Sequence, residues 1–169
     1  VDINPERAKT TIVELSKMMR YILYEGDKKY IPVQREALFL NNYIELMRLR
    51  YSSRVSINLD MPEMMPDMML PPLLLIIFVE NAFKHGVSYA APSFIDIKVT
   101  VTQEMLQFKC RNSRQEQKPD EKKKKGGVGL ANARRRLDLL FPNQYNLEIK
   151  ENVKEYDVQL EIPLSKNNN

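Results

Sequence analysis

The stretch LPPLLLIIFVENAFKHG, residues 70–86, decides how this chain is read. Its apolar run passes into polar residues at helical spacing, so a helix is expected from about Leu73 to His85. Leu74, Ile77 and Phe78 would anchor that helix in a core. Asn81, Lys84, His85 and Ser88 fall at i, i+3, i+4 and i+7 and therefore share one face. An amide and an ammonium on one face suit a magnesium-bound triphosphate. The amide oxygen can ligate a hard cation, and the lysine neutralises phosphate charge. The same pattern also describes an amphipathic helix with a solvated polar end, and this segment alone does not separate the two readings.

Outward from it, the next informative segment is GGVGLANARRRL, residues 126–137. Glycines ahead of a helix let backbone N–H groups approach phosphate oxygens, while the helix dipole favours negative charge. Arg134 to Arg136 could reinforce this or face water. No Gly-Lys-Ser/Thr follows, so this is not a Walker loop. A loop rather than a strand precedes it and the third glycine is missing, which argues against a dinucleotide fingerprint.

Between the two lie strands expected at Phe94 to Thr102 and Met105 to Asn112. In the second, Leu106, Phe108, Cys110 and Asn112 share a phase. Residues 113–125, SRQEQKPDEKKKK, have no apolar content and read as a mobile loop. Leu147 and Ile149, then Val158, Leu160 and Ile162, suggest a closing hairpin.

Toward the N-terminus, Val55, Ile57 and Leu59 alternate with polar residues, so 54–60 reads as a strand. The Pro- and Met-rich stretch 61–72 reads as a connector. A helix should open at Pro32, with Val33, Ala37, Leu40, Ile44 and Met47 as its apolar stripe. Another should start at Asn4-Pro5 and end at Gly26, with Ala8, Ile12, Leu15, Met19 and Ile22 along one side. The polar link Glu25 to Lys29 is a candidate hinge. Helices and antiparallel strands alternate in blocks, which favours a two-layer α/β sandwich (an α+β arrangement) over a doubly wound parallel sheet.

Bulk properties narrow the classes. At 169 residues and 43% hydrophobic content the chain suits one domain with a small appendage. One cysteine excludes an internal disulfide framework, and one cysteine with one histidine makes a structural zinc site implausible. No signal peptide is visible, and the longest apolar run, Leu73 to Val79, is far below the ~20 residues that span a bilayer. Lys122 to Lys125 and Arg134 to Arg136 form basic clusters in a chain of net charge +4. They lack interleaved aromatics, so no nucleic-acid partner is expected.

An Asn-bearing helix, two strands ending in a polar residue, a long polar loop, then Gly-x-Gly-Leu and a helix together resemble the GHKL ATPase superfamily. Residues 78–86 look like its N box, 126–130 like its G2 box, and 113–125 like its ATP lid. LSKMMRYILY at 15–24, NNYIELMRLRYSSRV at 41–55, LPPLLLIIFVENAFKHG at 70–86 and GVGLANARRRLDLLFP at 127–142 resemble the LytS-type sensor histidine kinases. The likeness covers nearly the whole chain.

The resemblance implies a Bergerat-type sandwich over 27–169, with a mixed, largely antiparallel sheet. It implies that 1–26 is the second helix of a dimerisation and phosphotransfer hairpin. It implies ATP and Mg2+ as ligands, with Asn81 on the metal and Lys84 and His85 near the phosphates. Gly127 and Gly129 would let the lid turn close, and Leu130 and Asn132 would lie beside the nucleotide. In the superfamily an aspartate in Asp-x-Gly-x-Gly contacts adenine. Strand phasing puts Asn112 there and neither glycine follows. Asn can accept the adenine amino hydrogen through its amide oxygen, without charge assistance. Glu80 is the candidate base, although it points about 100° away from Asn81 around the helix and could instead pair with Lys84. Ile77 stands where the hydrolysing branches place a glutamate. His85 reads as a residue near phosphate or as a helix cap, not as a phosphoacceptor.

The expected activity is therefore that of a sensor histidine kinase catalytic domain, whose acceptor histidine lies outside residues 1–169. Homodimerisation through the first helix, a response regulator, and a cytoplasmic position below a bacterial membrane sensor are what the resemblance implies for partners and location. The alternative is a nucleotide-binding regulatory module without turnover.

Overall fold

The computed structural model describes residues 5–51, 54–88, 91–114 and 128–166. The expected lid, with Lys122 to Lys125 and Gly127, lies outside them. In chain order the elements are α1 (Pro5–Glu25), β1 (Ile31–Pro32), α2 (Val33–Arg50), β2 (Val55–Asp60), β3 (Met68–Leu70), α3 (Ile76–Gly86), β4 (Ser93–Val101), β5 (Met105–Ser113), α4 (Val128–Leu140), β6 (Asn146–Glu151), β7 (Glu155–Pro163) and β8 (Ser165–Lys166).

Alternation makes the main sheet. β4 buries Ile95, Ile97 and Val99, β5 buries Leu106, Phe108, Cys110 and Asn112, and β7 buries Val158, Leu160 and Ile162. The residues between them face the other way, as the two-residue period of a strand requires. The five strands lie in the order β2-β4-β5-β7-β6; β2 and β4 are parallel and every other pair is antiparallel. The buried side of this mixed sheet joins Phe78, Val79 and Phe83 of α3, Leu40 and Ile44 of α2, and Ala133 and Leu137 of α4 in one core. This is the expected two-layer sandwich.

Three local expectations need correction. The connector 61–72 contains β3, which pairs with β1 and β8 in a second, three-stranded antiparallel sheet. Strands of two or three residues are too short to show a period. Pro32 is a strand residue and the N-cap of α2, with ψ 135°, rather than the first residue of the helix. The helix expected from Leu73 begins only at Ile76, because Leu73 holds a left-handed φ of 56°. That conformation is costly outside glycine and cannot continue a right-handed helix.

Helix α1 packs on α2. Met18 is buried and Tyr21 stacks on Phe39 with ring centroids 4.3 Å apart. Ile12, Leu15, Met19 and Ile22, the expected stripe, point to solvent instead. The proposed hinge is pinned: Glu25 is buried and pairs with Arg35 of α2 and with Lys28 at 2.9 Å.

Candidate functional site

Helix α3 is amphipathic in the expected sense. It buries Ile76, Phe78, Val79, Ala82, Phe83 and Gly86, leaves Asn81 half-buried, and exposes Glu80, Lys84 and His85. Both of its ends are held by other elements.

At the C-terminal end, the Ser113 hydroxyl donates to the Gly86 carbonyl at 2.7 Å and accepts the Phe94 N–H at 3.1 Å. Asn112 is buried beneath this end, its amide nitrogen donating to the Ser113 carbonyl at 2.7 Å. A Cβ on Gly86 would stand 2.6 Å from that nitrogen. Glycine is therefore required at 86 by the closeness of Asn112, and the end of β5 is fixed against the turn of α3 that carries Lys84 and His85.

At the N-terminal end, the turn before α3 is gripped from two sides. The Glu36 carboxylate accepts the N–H groups of Leu73, Leu74 and Leu75 at 2.9, 3.0 and 3.3 Å. The Arg136 guanidinium of α4 donates to the carbonyls of Leu73, at 3.0 Å, and Pro72. Buried backbone N–H groups need acceptors, and for these three, just ahead of α3, a carboxylate distant in sequence supplies them. Burial pushes the Glu36 carboxyl above its usual range, and the donors around it oppose that shift. The third arginine of the basic cluster thus has a structural task, whereas Arg134 and Arg135 are exposed.

Helix α2 flanks the middle of α3. Phe83 lies between Tyr51, stacked at 5.6 Å, and Tyr43, edge-on at 5.9 Å. The Tyr43 hydroxyl is pushed up to about 12 by burial, and then by the nearby charges of Glu80 and Tyr51. Glu80 is exposed and makes no ion pair with Lys84. The His85 imidazole is held below its usual pKa, first by partial desolvation and then by the adjacent Lys84 ammonium.

The arrangement brings Asn81, Lys84, His85 and Asn112 to one helix and the strand end beneath it, and α4 packs alongside α3. Gly129, Leu130 and Asn132 occupy the first turn of α4, with Gly129 and Asn132 exposed and Leu130 half-buried against the core. A Cβ on Gly129 would meet nothing within 4 Å, so the described neighbours impose no need for glycine there. Gly127 is outside the described residues. Two concavities lie elsewhere. One of about 220 Å³ is on the outer sheet face around Lys98, Lys109 and Glu161, and one of about 300 Å³ lies between α2 and residues 59–63.

Among the described residues no group of three or more His, Cys, Asp or Glu side chains gathers where a metal ion could be held. A Mg2+ at Asn81 would take its other ligands from phosphate oxygens and water, which is the usual way this ion is bound. The residues fit an ion that arrives with a nucleotide. No helix among the described residues is long and apolar enough to cross a membrane.

Glu36, Gly86, Ser113 and Tyr43 were not singled out by sequence reasoning, and Arg136 was weighed there only as a phosphate-side or solvent-facing charge. Glu36 acts on residues 37 to 39 positions away, and no local signal announces such a bond. Gly86 had a signal: a glycine closing a polar helix face ahead of a buried polar strand residue.

The histidine kinase family profile matches residues 1–55. Sensor protein LytS of Oceanobacillus iheyensis is 25% identical over 174 residues, an alignment covering 95% of this chain and 30% of that protein. Sensor histidine kinase/phosphatase LytS of Staphylococcus aureus is 35% identical over 86 residues, covering 51% of this chain and 15% of that one. The chain thus spans less than a third of the length of the curated relatives it matches. In fold it is similar to the histidine kinase domain of the blue-light activated kinase of Erythrobacter litoralis, with TM-score 0.60, 15% identity, and coverage of 94% of this chain and 79% of that one. Full-length ShkA, solved with AMPPNP, gives TM-score 0.59 at 16% identity and covers 93% of this chain and 36% of that one. By sequence the chain is similar to LytS sensor histidine kinases, and its fold is that of solved histidine kinase catalytic domains.

Proposed function

We propose that this chain binds Mg-ATP along the polar face of α3 and the start of α4, and that in the whole protein it transfers the γ-phosphoryl group to a histidine other than His85. The observation that carries this reading is the doubly anchored α3. Asn81, Lys84 and His85 sit on a helix whose two ends are fixed by Glu36 and by the Asn112–Ser113 strand end. Phosphoryl transfer needs positioning and charge neutralisation more than covalent chemistry, and a restrained polar helix supplies positioning.

Each residue has a place in this scheme. Asn81 offers its amide oxygen to Mg2+, and the ion spreads the charge that develops on the phosphates. Lys84 and His85 face the phosphates from the next turn. The Asn112 amide nitrogen is engaged with Ser113, so its oxygen is the atom that would meet the adenine amino group. Gly129, Leu130 and Asn132 would border the nucleotide from the α4 side. Glu80, exposed on α3, would accept the imidazole proton as the P–N bond forms and ADP leaves. That ShkA was solved with AMPPNP supports a nucleotide as ligand.

Residues 1–26 then form one helix of a dimerisation hairpin and 27–169 the ATP-binding domain. The solvent-facing Ile12, Leu15, Met19 and Ile22 are available to a second copy. A response regulator is the onward partner, and a membrane sensor is the setting in which the cytoplasmic domain works. The test is incubation of the full-length protein with γ-labelled ATP and Mg2+. Acid-labile, base-stable label on the protein is expected. Nucleotide binding without any transferred label would leave only a regulatory module.

A further inference from the structure

Two polar links between α1 and α2 matter here: Glu25 with Arg35, and the Tyr21 hydroxyl donating to the Glu36 carboxylate. The second link is unlike the first. Arg35 is exposed, and its pair with the buried Glu25 joins α1 to α2 without a bond to α3. Glu36 is buried, and the same carboxylate group that receives the Tyr21 proton also receives the three N–H groups of the turn that starts α3. One side chain on α2 therefore joins α1 to the helix that bears Asn81.

The turn it holds is also a conformational choke point. Leu73 sits at φ 56°, a conformation that persists only where surrounding contacts fix it. Glu36 accepts its N–H, and Arg136 donates to its carbonyl, so α2 and α4 fix both backbone polar groups of one strained residue. Tyr21 is placed by ring stacking on Phe39, one turn along α2 from Glu36. A shift or rotation of α1 along α2 would carry the Tyr21 hydroxyl away from the carboxylate. The carboxylate, with fixed donors on its other side, would lose one of four bonds or follow the tyrosine and loosen the turn.

We propose that Glu36 is a positioning residue for α3, and that through the Tyr21 hydroxyl it makes the placement of α3 depend on the placement of α1. The link does not require any particular ligand on α3. Its bearing on phosphoryl transfer rests on the reading given above.

The test uses the chain of residues 1–169 with three substitutions. Tyr21→Phe removes only the hydroxyl and keeps the ring on Phe39. Glu36→Gln keeps one acceptor oxygen and replaces the other with a donor. Arg35→Ala removes the Glu25–Arg35 link and serves as the control. Amide hydrogen exchange is followed by mass spectrometry, and ADP with Mg2+ is titrated calorimetrically into each. Tyr21→Phe should speed exchange in residues 74–80 about tenfold, as loss of a bond to a charged acceptor would. Exchange in β4, β5 and β7 should stay unchanged, and affinity for Mg-ADP should fall severalfold. Glu36→Gln should do the same more strongly, and Arg35→Ala should not alter residues 74–80. Unchanged exchange at 74–80 in Tyr21→Phe, a uniform rise across the whole chain, or unaltered ADP affinity beside a binding wild type would each overturn the proposal. Should Glu36→Gln fail to fold, Tyr21→Phe still decides. If the wild type binds no ADP at millimolar concentration, the nucleotide reading fails, and the exchange pattern alone judges the link between α1 and α3.

Discussion

The side chain of Asn112 fills the space where a side chain on Gly86 would be, since a Cβ there would lie 2.6 Å from its amide nitrogen. This contact fixes the end of β5 against the end of α3, and it makes glycine at 86 a packing requirement. Gly86→Ala should destabilise the fold. Overpacking costs about 1–3 kcal/mol, and the better helix preference of alanine returns about 1 kcal/mol. The net loss of up to about 2 kcal/mol corresponds to a fall in Tm of up to about 8 °C for a domain of this size. Gly129→Ala, with open space around it, should leave Tm unchanged or slightly raised. Thermal unfolding of both variants checks the contrast; equal losses would contradict it.

His85 is held below its usual pKa by partial desolvation and by Lys84. The charged form is thus disfavoured in the folded chain, and an imidazole titration followed by NMR should show a midpoint below 6.5. Phosphates beside the ring would favour the cation instead. Saturating ADP should therefore move the midpoint upward. A midpoint indifferent to ADP would remove His85 from the phosphate site.

How much of this was legible in the sequence differs by element. The period-two strands β4, β5 and β7 and the polar face of α3 could be read directly, because burial on one side writes itself into alternation and helical spacing. That Asn112 shares the buried phase of β5 could be read from the strand period, whereas its contact with Gly86 of α3 could not. The start of α3 did not: apolar Leu73 to Leu75 look helical, yet their N–H groups are taken by Glu36 and Leu73 turns left-handed. Long-range bonds of this kind leave no local mark. The same is true of β1, β3 and β8, whose pairing is defined by tertiary position. On α1, a side of the helix that looks ready for a core is exposed within one chain, because Met18 and Tyr21 on another side make the contact with α2.

Glu25 predicts an acid limb in stability. Its carboxyl is held below the usual 4.5 by the Lys28 hydrogen bond and by Arg35, against the opposing effect of burial. A lowered folded-state pKa means that the contribution is present above 4.5 and is lost as pH falls through the folded value. Wild-type Tm should therefore decline more steeply than that of Glu25→Gln between about pH 4.5 and pH 3. Parallel declines would show that this carboxylate does not tie α1 down.

Cys110 should be chemically silent while the domain is folded. It is 1% exposed in β5, and burial pushes its thiol up to about 12, with Asp157 and Asp96 adding to the shift. The thiolate is the reactive form, so labelling at pH 8 should proceed at the rate of opening of the main sheet and reach completion only in denaturant. Rapid labelling of native protein would mean that β5 is not held in the core as described.

The central claim is that α3 presents a Mg-nucleotide site with Asn81 at its metal. Calorimetric titration of residues 1–169 with ATP, with and without Mg2+, compared with Asn81→Ala, tests it most directly. Binding that depends on Mg2+ and weakens about tenfold to a hundredfold in Asn81→Ala, with little change in Tm, is the predicted result. Identical affinity in wild type and variant, or no binding to either at millimolar ATP, would contradict it.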